Sequence, residues 1–329
     1  MATISIVIPV YRAEQTLHEL YRRLAATIPQ IASAFEIIFV EDGGGDGSWP
    51  IIASLAGADP RVRGIRMSRN YGQHNALLCG IREARYDLIL TMDDDLQHPV
   101  GEIAPLVAAL TPEYDVVYGA PQAERHGLLR DMASRMTKMA LASAMDVETA
   151  RNVSAFRVFR TRLREGFKAC RSPSVSIDVL LTWSTSRFTA VKVRHEPRAA
   201  GVSGYTVGKL IRHALNLITG FSTLPLQVAS YVGFAFLLFG MLTLAYVLVN
   251  YLVHNSEVPG FAFLASMIAI FSGAQLFALG IFGEYLARMH IRSMDRPAYV
   301  IGETTVATEM DQTVKTPVFH SAGGSKNAI

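Results

Sequence analysis

Three consecutive carboxylates, Asp93, Asp94 and Asp95, are the residues of this sequence best suited to chemistry. They follow an apolar run at 88–90 that is typical of a buried central strand, so they would emerge at the carboxyl end of that strand. Ligands of open α/β sheets bind at this edge. Because adjacent carboxylates repel one another unless a cation neutralises them, the stretch predicts a cation site.

The spacing of Asp93, Asp95 and Gln97 favours a hard divalent metal. In an extended segment alternate side chains point to one side, so two carboxylates and an amide oxygen would face together. Mg²⁺ and Mn²⁺ prefer such oxygen ligands and take further ones from substrate phosphates. The alternative is a solvated acidic turn that caps the next helix, with Pro99 in its first turn.

A second candidate group lies in a basic stretch that runs from Arg125 to Lys138. On a helix, Arg130, Ser134 and Lys138 would share one face because they lie four residues apart, with Arg135 beside Ser134. A row of cations and a hydroxyl can hold a phosphate. A solvated amphipathic helix explains the same pattern equally well.

The elements before the acids alternate as in a parallel α/β sheet. Strand-like runs at 3–9, 35–40 and 62–67 are separated by helical periodicity, most clearly over 17–28. Strand, helix and strand in this order predict a parallel sheet. The glycine run at 43–47 lacks the P-loop and dinucleotide patterns and, taken alone, indicates a flexible loop.

Two long uncharged stretches follow the α/β part. No Asp, Glu, Lys or Arg occurs between Arg212 and Glu257, nor between Glu257 and Glu284. Each stretch can span a hydrocarbon layer about 30 Å thick, which predicts transmembrane helices at about 228–253 and 259–283. Basic residues flank the pair on both outer sides, and the positive-inside rule places those flanks in the cytoplasm.

The sequence therefore predicts a soluble domain attached to a membrane. It has 329 residues, a net charge of +3 and 50% apolar residues, and its start lacks the basic segment of a signal peptide. Cys79 and Cys170 are expected to stay reduced. The predicted units are a catalytic domain at 1–200, an interfacial helical region at 201–225, two membrane helices at 226–285, a juxtamembrane segment at 286–302 and a disordered tail at 303–329.

Several motifs together resemble the polyprenyl-phosphate glycosyltransferases, family-two enzymes of the dolichol-phosphate mannose synthase type. The resemblance covers about residues 4–300, and the bacterial undecaprenyl-phosphate transferases for aminoarabinose look most similar, followed by the glucosyl type. These segments carry it: Ile6-Val7-Ile8-Pro9-Val10-Tyr11 with Glu14, Glu41-Asp42-Gly43, Arg69-Asn70-Tyr71-Gly72, Asp93-Asp94-Asp95-Leu96-Gln97-His98-Pro99, Arg130 with Ser134-Arg135, Arg198 with Gly201, Ser203 and Tyr205, and Gly283-Glu284-Tyr285-Leu286 with Arg296-Pro297 and Tyr299.

The resemblance implies a GT-A nucleotide-sugar fold and a metal-dependent, inverting transfer. A sugar would move from a nucleoside diphosphate, expected to be UDP, to the phosphate of a polyprenyl lipid, expected to be undecaprenyl phosphate. The reaction would use Mg²⁺ or Mn²⁺ on the cytoplasmic leaflet of a bacterial inner membrane, in cell-envelope or lipopolysaccharide modification. The catalytic domain and both termini would lie in the cytosol. A homotetramer is implied, and no nucleic-acid partner.

The same resemblance implies roles for single residues. The catalytic residues would be Asp93, Asp95, Arg130 and Ser134. Asp93, Asp95 and Gln97 would hold the metal. The nucleotide would be bound by Pro9, Tyr11, Glu14, Asp42, Asn70, Gly72 and Asp94. The acceptor phosphate and a mobile loop over the phosphates would involve Arg125, Arg135, Arg198 and Ser203. Metal and arginines would offset charge on the leaving diphosphate, and an acceptor phosphate with a second pKa of about 6 needs no strong base.

Four positions depart from the family pattern, one of them Lys138, which replaces a common Asn. Ala155 stands where many members of the glucosyl type carry an Asp that has been considered as a base, so a base at that position is excluded. Gln73 and Gly204 stand where many relatives have Lys. The loss of two cations removes expected contacts to the donor phosphates, for which Arg198 or Lys209 are candidate replacements.

Other functions stay open from the sequence. A processive polysaccharide synthase would share the acid motif. Such an enzyme needs more membrane spans and a Gln-x-x-Arg-Trp stretch, and neither Trp49 nor Trp183 lies in such a stretch. A membrane scaffold, or an inactive homologue that binds only nucleotide or lipid, would leave the acids idle. The identity of the sugar is not predicted, because it depends on a few polar contacts that spacing does not place.

Overall fold

An eight-stranded mixed sheet forms the centre of the protein, which we describe from a computed structural model over residues 2–121, 152–172, 175–196, 224–254 and 260–305. The strand order is β7-β5-β6-β4-β1-β2-β3-β8. The strands are β1 (Ala2–Val10), β2 (Ala32–Glu41), β3 (Val62–Met67), β4 (Leu88–Thr91), β5 (Val116–Pro121), β6 (Arg157–Arg160), β7 (Phe188–Val193) and β8 (Ile301–Thr304). The helices are α1 (Leu17–Thr27), α2 (Ser48–Ala58), α3 (Gln73–Glu83), α4 (Ile103–Ala109), α5 (Ile177–Ser184), α6 (Leu224–His254) and α7 (Phe261–Ser293).

Both faces of the central strands are buried, which explains why these strands are almost continuously apolar. Ile4, Ile6 and Ile8 of β1 face a core formed with α1, α2 and α4. Val7, from the same strand, faces a second core formed with α3 and α5. The period of two along β1 thus separates the two cores, and the expected α/β fold is confirmed.

Parallel pairing brings three strand ends to one edge. β1 pairs in parallel with β2 and β4, with Val10 opposite Glu41 and Val7 opposite Thr91. The segments that follow β1, β2 and β4 therefore begin at the same carboxyl edge of the sheet. This is where the candidate site lies.

The half of the sheet beyond β4 is mixed. β6 lies between β4 and β5 and runs antiparallel to both, with Arg157 opposite Thr91. β7 is parallel to β5. The predicted parallel arrangement therefore holds for β1 to β4, and the inserted β6 makes the whole sheet mixed.

Two helices are long and apolar enough to cross a membrane, over Pro225–Asn250 and Ile270–Ser293, and they support the expectation of a membrane protein. α7 continues to Ser293, well past the predicted end near 283. Its 33 residues correspond to about 50 Å at 1.5 Å per residue, longer than a hydrocarbon layer of about 30 Å. Residues 201–223 of the predicted interfacial region lie outside the described residues.

The chain returns to the sheet after α7. Asp295 pairs with Arg171 at 2.8 Å, Ala298 is buried, and β8 adds an antiparallel strand beside β3. The backbone N–H of Gly64 donates to Thr305 Oγ1 at 2.8 Å. Glu303 and Thr304, which the sequence pattern assigns to a disordered tail, thus belong to the folded sheet, and residues 306–329 lie outside the described residues.

Candidate active site

The acid turn, residues 92–98, connects to both neighbouring parts of the carboxyl edge. The backbone N–H of Tyr11, just after β1, donates to Asp94 Oδ2 at 3.0 Å. Gln73 Nε2, at the start of α3, donates to Asp93 Oδ1 at 2.6 Å. The position where relatives carry a cation is therefore occupied here by an amide that contacts a predicted metal ligand.

The acid turn is not extended, so the alternation used to group Asp93, Asp95 and Gln97 on one side is wrong. β4 ends at Thr91, and Leu96 adopts a left-handed conformation with φ of 61°. The backbone N–H of Gln97 donates to Asp95 Oδ1 at 3.1 Å, which closes a short turn on the side chain. Asp95 is buried, whereas Asp93 is partly exposed.

The donor set of the acid turn fits a hard cation. Asp93 and Asp95 supply carboxylates and Gln97 an amide oxygen, which are ligand types that Mg²⁺ and Mn²⁺ prefer. Within the described ranges, no group of three or more His, Cys, Asp or Glu side chains forms a metal cage. A metal held by Asp93, Asp95 and Gln97 would have coordination positions left for water or substrate phosphates, as is usual for Mg²⁺.

Asp42 organises the turn that leads into α3. Its Oδ1 accepts from the backbone N–H of Tyr71 at 2.7 Å, and its Oδ2 from that of Gly72 at 2.8 Å. Burial raises the pKa of Asp42, and the two bonds act in the opposite direction by favouring the charged form. Asp42 thus fixes the start of α3, and with it Gln73.

The glycine run is bonded to its surroundings, unlike the flexible loop that its composition indicates. Gly47 N–H donates to Glu14 Oε2 at 2.8 Å, and Arg12 Nε donates to the carbonyl oxygen of Gly44 at 3.1 Å. Gly43 has φ of 63°, and a Cβ there would lie 2.5 Å from the backbone nitrogen of Asn70. Only glycine allows this close approach of the two loops.

Some of the predicted nucleotide-binding residues are buried or bonded to neighbouring loops, and others are exposed to solvent. Pro9 and Asp42 are buried, and Glu14 is engaged with the glycine run. Tyr11 is 48% exposed and Asn70 is also exposed. The exposed pair lies in the segments that follow β1 and β3 at the carboxyl edge, where the nucleotide is predicted to bind.

A fully buried arginine lies beneath the acid turn. Arg157 donates from Nε to Thr91 Oγ1 at 3.0 Å and forms an ion pair with Asp178. Tyr118 OH donates to Asp178 Oδ1 at 3.1 Å. Burial acts to lower the pKa of Arg157, but its interactions with Asp178, Tyr118 and Asp93 outweigh burial and raise that pKa. The sequence signal for this network is an arginine, Arg157, that lies between the apolar residues Phe156 and Val158.

The segment after β7 docks on the acid turn. Glu196 N–H donates to the carbonyl oxygen of Gln97 at 2.9 Å, and Arg194 pairs with Glu102 at 2.8 Å. The ring of His195 lies 5.3 Å from that of His98. Burial lowers the pKa of His98 to about 4, so this ring is neutral at physiological pH.

Several predicted site residues fall outside the described part of the chain, so their placement stays a prediction. They are Arg125, Arg130, Ser134, Arg135, Arg198 and Ser203, together with Gly204. Ala155 is described: its carbonyl oxygen accepts from Thr91 Oγ1 at 2.7 Å.

Comparison with known proteins identifies the family of this chain. Residues 5–169 match the family described as glycosyl transferase family 2. The chain is 36% identical over 309 residues to the undecaprenyl-phosphate 4-deoxy-4-formamido-L-arabinose transferase of Pseudomonas aeruginosa strain LESB58, covering 93% of this chain and 91% of that protein. It is 34% identical over 318 residues to the transferase of the same name from Yersinia pestis strain Pestoides F, covering 95% and 97%.

The solved structures agree at the level of the fold. A crystal structure described as a mycobacterial protein superposes with a TM-score of 0.50 at 18% identity, over 67% of this chain and 74% of that one. The mixed, mostly parallel sheet is the GT-A arrangement that the resemblance implied. By its family match and its full-length relatives, the chain belongs to glycosyltransferase family 2 and is a glycosyltransferase.

Proposed function

We propose that this enzyme transfers an arabinose-type amino sugar from a nucleoside diphosphate, most simply UDP, to the phosphate of undecaprenyl phosphate. The acceptor and the sugar class follow the names of relatives that match over nine-tenths of the chain. The observation that carries the proposal is the bonding of the acid turn to Tyr11 on one side and Gln73 on the other. These contacts join the acid turn, which carries the predicted metal ligands, to the segment after β1 and to the start of α3.

The donor would lie along the edge between Tyr11 and the start of α3. The exposed Tyr11 ring offers a surface on which a base can stack, and Asn70 offers polar atoms to the ribose. α3 begins at Gln73, beside Asp93, so the positive end of its dipole is near the acid turn. A diphosphate bound there would be favoured by that end of the helix.

Asp93, Asp95 and Gln97 would hold Mg²⁺ or Mn²⁺. When bound, such a metal neutralises charge on the donor diphosphate and stabilises the leaving group. The role of these side chains is to fix the hard oxygen ligands at the end of β4. Gln73 orients Asp93 through its 2.6 Å bond, and the turn of Gln97 on Asp95 orients the second carboxylate.

The chemical step would be a single displacement. An oxygen of the acceptor phosphate forms a bond to the anomeric carbon while the bond to the diphosphate oxygen breaks, and its electrons leave with the nucleoside diphosphate. One displacement inverts the anomeric configuration. Ala155 supplies no base, and the acceptor phosphate, with a second pKa of about 6, is mostly dianionic at neutral pH.

The membrane arrangement is part of the proposal. α6 and α7 would anchor the enzyme as a hairpin in the bacterial inner membrane, with the catalytic domain and both termini in the cytosol. Arg288 and Arg292 near the end of α7 agree with a cytosolic position of that end. The anchor would hold the acid edge within reach of a lipid phosphate, which raises the effective concentration of the acceptor.

A donor panel tests the proposal. Purified full-length enzyme in detergent is mixed with undecaprenyl phosphate, Mg²⁺ or Mn²⁺, and separate UDP- and GDP-sugars, including a UDP-linked formamido-arabinose. Mass spectrometry should find one lipid-linked sugar from one donor, with no product from Asp95→Ala. A ladder of several sugars on one acceptor would indicate a polysaccharide synthase. Nucleotide binding without any product would indicate an inactive homologue.

A further inference from the structure

Asp93 is connected from two sides to the first turn of α5. Gln73 Nε2 donates to Asp93, and the next residue, His74, accepts from the backbone N–H of Ile177 at its Nδ1, at 3.4 Å. Asp178, which follows Ile177, forms the ion pair with the arginine beneath the acid turn. One turn of helix therefore supports both approaches to a predicted metal ligand.

The second approach runs through β6 and the end of β4. Arg157 lies opposite Thr91 in the antiparallel register and donates to its hydroxyl. The same hydroxyl donates to the carbonyl oxygen of Ala155. Thr91 is thus fixed by two bonds only two residues before Asp93, so the direction in which the acid turn leaves the sheet is set by β6.

Stability alone is a weak explanation for this buried network. Arg157 is 1% exposed and Asp178 6% exposed, so both charges are removed from water. The desolvation of a buried ion pair offsets most of its Coulombic gain, and apolar residues of similar volume often stabilise a fold equally well. A buried pair retained directly beneath a binding edge is therefore better explained by what it positions.

We propose that Arg157 and Asp178 are positioning residues that hold the metal ligand Asp93 at the end of β4. The proposal rests on the proposed metal site. The arginine bonds the last residue of β4 from below, and its charge lies close enough to Asp93 to interact with it. The aspartate orients the guanidinium and anchors it to Tyr118 and α5.

The decisive variant replaces the whole pair, Arg157→Met with Asp178→Leu, so that no unpaired charge is left buried. In the full-length enzyme with UDP, binding of Mn²⁺ followed by electron paramagnetic resonance should weaken by about tenfold to hundredfold, the usual effect of losing support behind a metal ligand. The thermal unfolding midpoint should fall only modestly, because the buried Tyr118 hydroxyl loses its acceptor while no charge is left unpaired. Unchanged Mn²⁺ affinity in a folded double variant would overturn the proposal while leaving the proposed function intact.

A milder variant covers the case in which the double variant does not fold. Thr91→Val keeps the side-chain shape and removes the hydroxyl that joins Arg157 to Ala155. Mn²⁺ binding should weaken by about threefold to tenfold, because the two hydrogen bonds that fix the end of β4 are lost. Wild-type affinity in this variant contradicts the proposal. A wild-type enzyme that binds no Mn²⁺ with UDP would overturn the metal site itself, and the proposal with it.

A matched control is available in the same sheet. Arg63 and Glu36 form another buried ion pair, at 3.0 Å, near the amino ends of β3 and β2. Arg63→Met with Glu36→Leu should leave Mn²⁺ affinity at the wild-type value. An equal loss of affinity in this control would show that the effect is a general response of the fold, and the positioning role would be rejected.

Discussion

Most of the carboxylates at the two ends of the sheet are held differently, although at the carboxyl end Glu41 also pairs with Arg66, at 3.4 Å, and Asp178 pairs with Arg157. At the carboxyl end, Asp42, Asp94 and Asp95 accept hydrogen bonds from backbone N–H groups. At the amino end, Glu36 pairs with an arginine of β3, and Asp115 pairs with arginines on β6, after β6 and before β7. Both ends are rich in acids, and sequence composition does not separate them.

The difference indicates what each end is for. A backbone amide carries no net charge, so a bond to it keeps a carboxylate ionised and oriented without cancelling its charge. An arginine neutralises the charge of the carboxylate, and its planar guanidinium donates hydrogen bonds in fixed directions. The carboxyl end is therefore suited to attracting a cation, and the amino end to holding strands together.

The largest effect should follow from removing one charge at the carboxyl end. Asp93→Asn keeps the shape of the side chain and still accepts from Gln73, but it provides a weaker metal ligand. Because a metal contributes several kcal/mol of charge stabilisation, transfer should fall by about 10² to 10³-fold. Initial rates over a range of Mg²⁺ concentrations measure this. A loss below about threefold would show that the charge of Asp93 is not used.

Asp42→Asn is expected to weaken the use of the donor, as measured by the KM for the nucleotide sugar. The asparagine amide cannot accept from both Tyr71 and Gly72, so one buried N–H loses its partner at a cost of about 1–3 kcal/mol. The start of α3 should shift, and the KM for the nucleotide sugar should rise about tenfold while kcat changes less. An unchanged KM in a folded variant would separate the Asp42 turn from donor binding.

The amino end should respond in stability alone. Asp115→Asn removes the charge that Arg162 and Arg187 contact at 2.9 and 2.8 Å. Both arginines are partly exposed, so solvent screening limits the loss to about 1 kcal/mol of unfolding free energy. Chemical unfolding measures that loss, and kcat/KM for each folded molecule should match the wild type. A large change in kcat/KM would show that the amino end of the sheet also contributes to catalysis.

The smallest effect concerns acid unfolding. Hydrogen bonds from Arg61 lower the pKa of Asp59 to about 2. A lowered pKa stabilises the fold above the ordinary value of about 4 and loses that contribution as pH falls towards 2. The difference in urea midpoint between wild type and Asp59→Asn should therefore be full at pH 6 and shrink below about pH 4. A difference independent of pH would mean that the ion pair contributes through packing.

Much of the first half of the fold was predictable, because apolar runs and helical periodicity alternate regularly before the acids. The position of Asp93 at the carboxyl edge follows from one buried strand and one rule about parallel sheets. The shape of the acid turn does not follow, because the left-handed conformation of Leu96 depends on local bonding that spacing does not encode. β8 was not predicted, because it has only four residues and its partner β3 is far away in the sequence.

The support of the site was the least predictable part. In the sequence, Gln73 is notable only because many relatives have a lysine at this position. In the structure, its side-chain amide donates a hydrogen bond to Asp93. Arg157 and Asp178 come from different elements, and only folding brings them together. An arginine between two apolar residues, as in Phe156-Arg157-Val158, is a pattern that points to such a pair, but it does not identify the partner.

The closure of the sheet by β8 sets an order of events during synthesis. The bond between Gly64 and Thr305 joins residues 241 positions apart, and both long apolar helices lie between them. At about 5–20 residues per second, β3 waits on the order of tens of seconds with one edge unpaired. The sheet is completed only after the ribosome has made both helices, so a chain that stops before α7 ends keeps an open edge that chaperones and proteases can recognise.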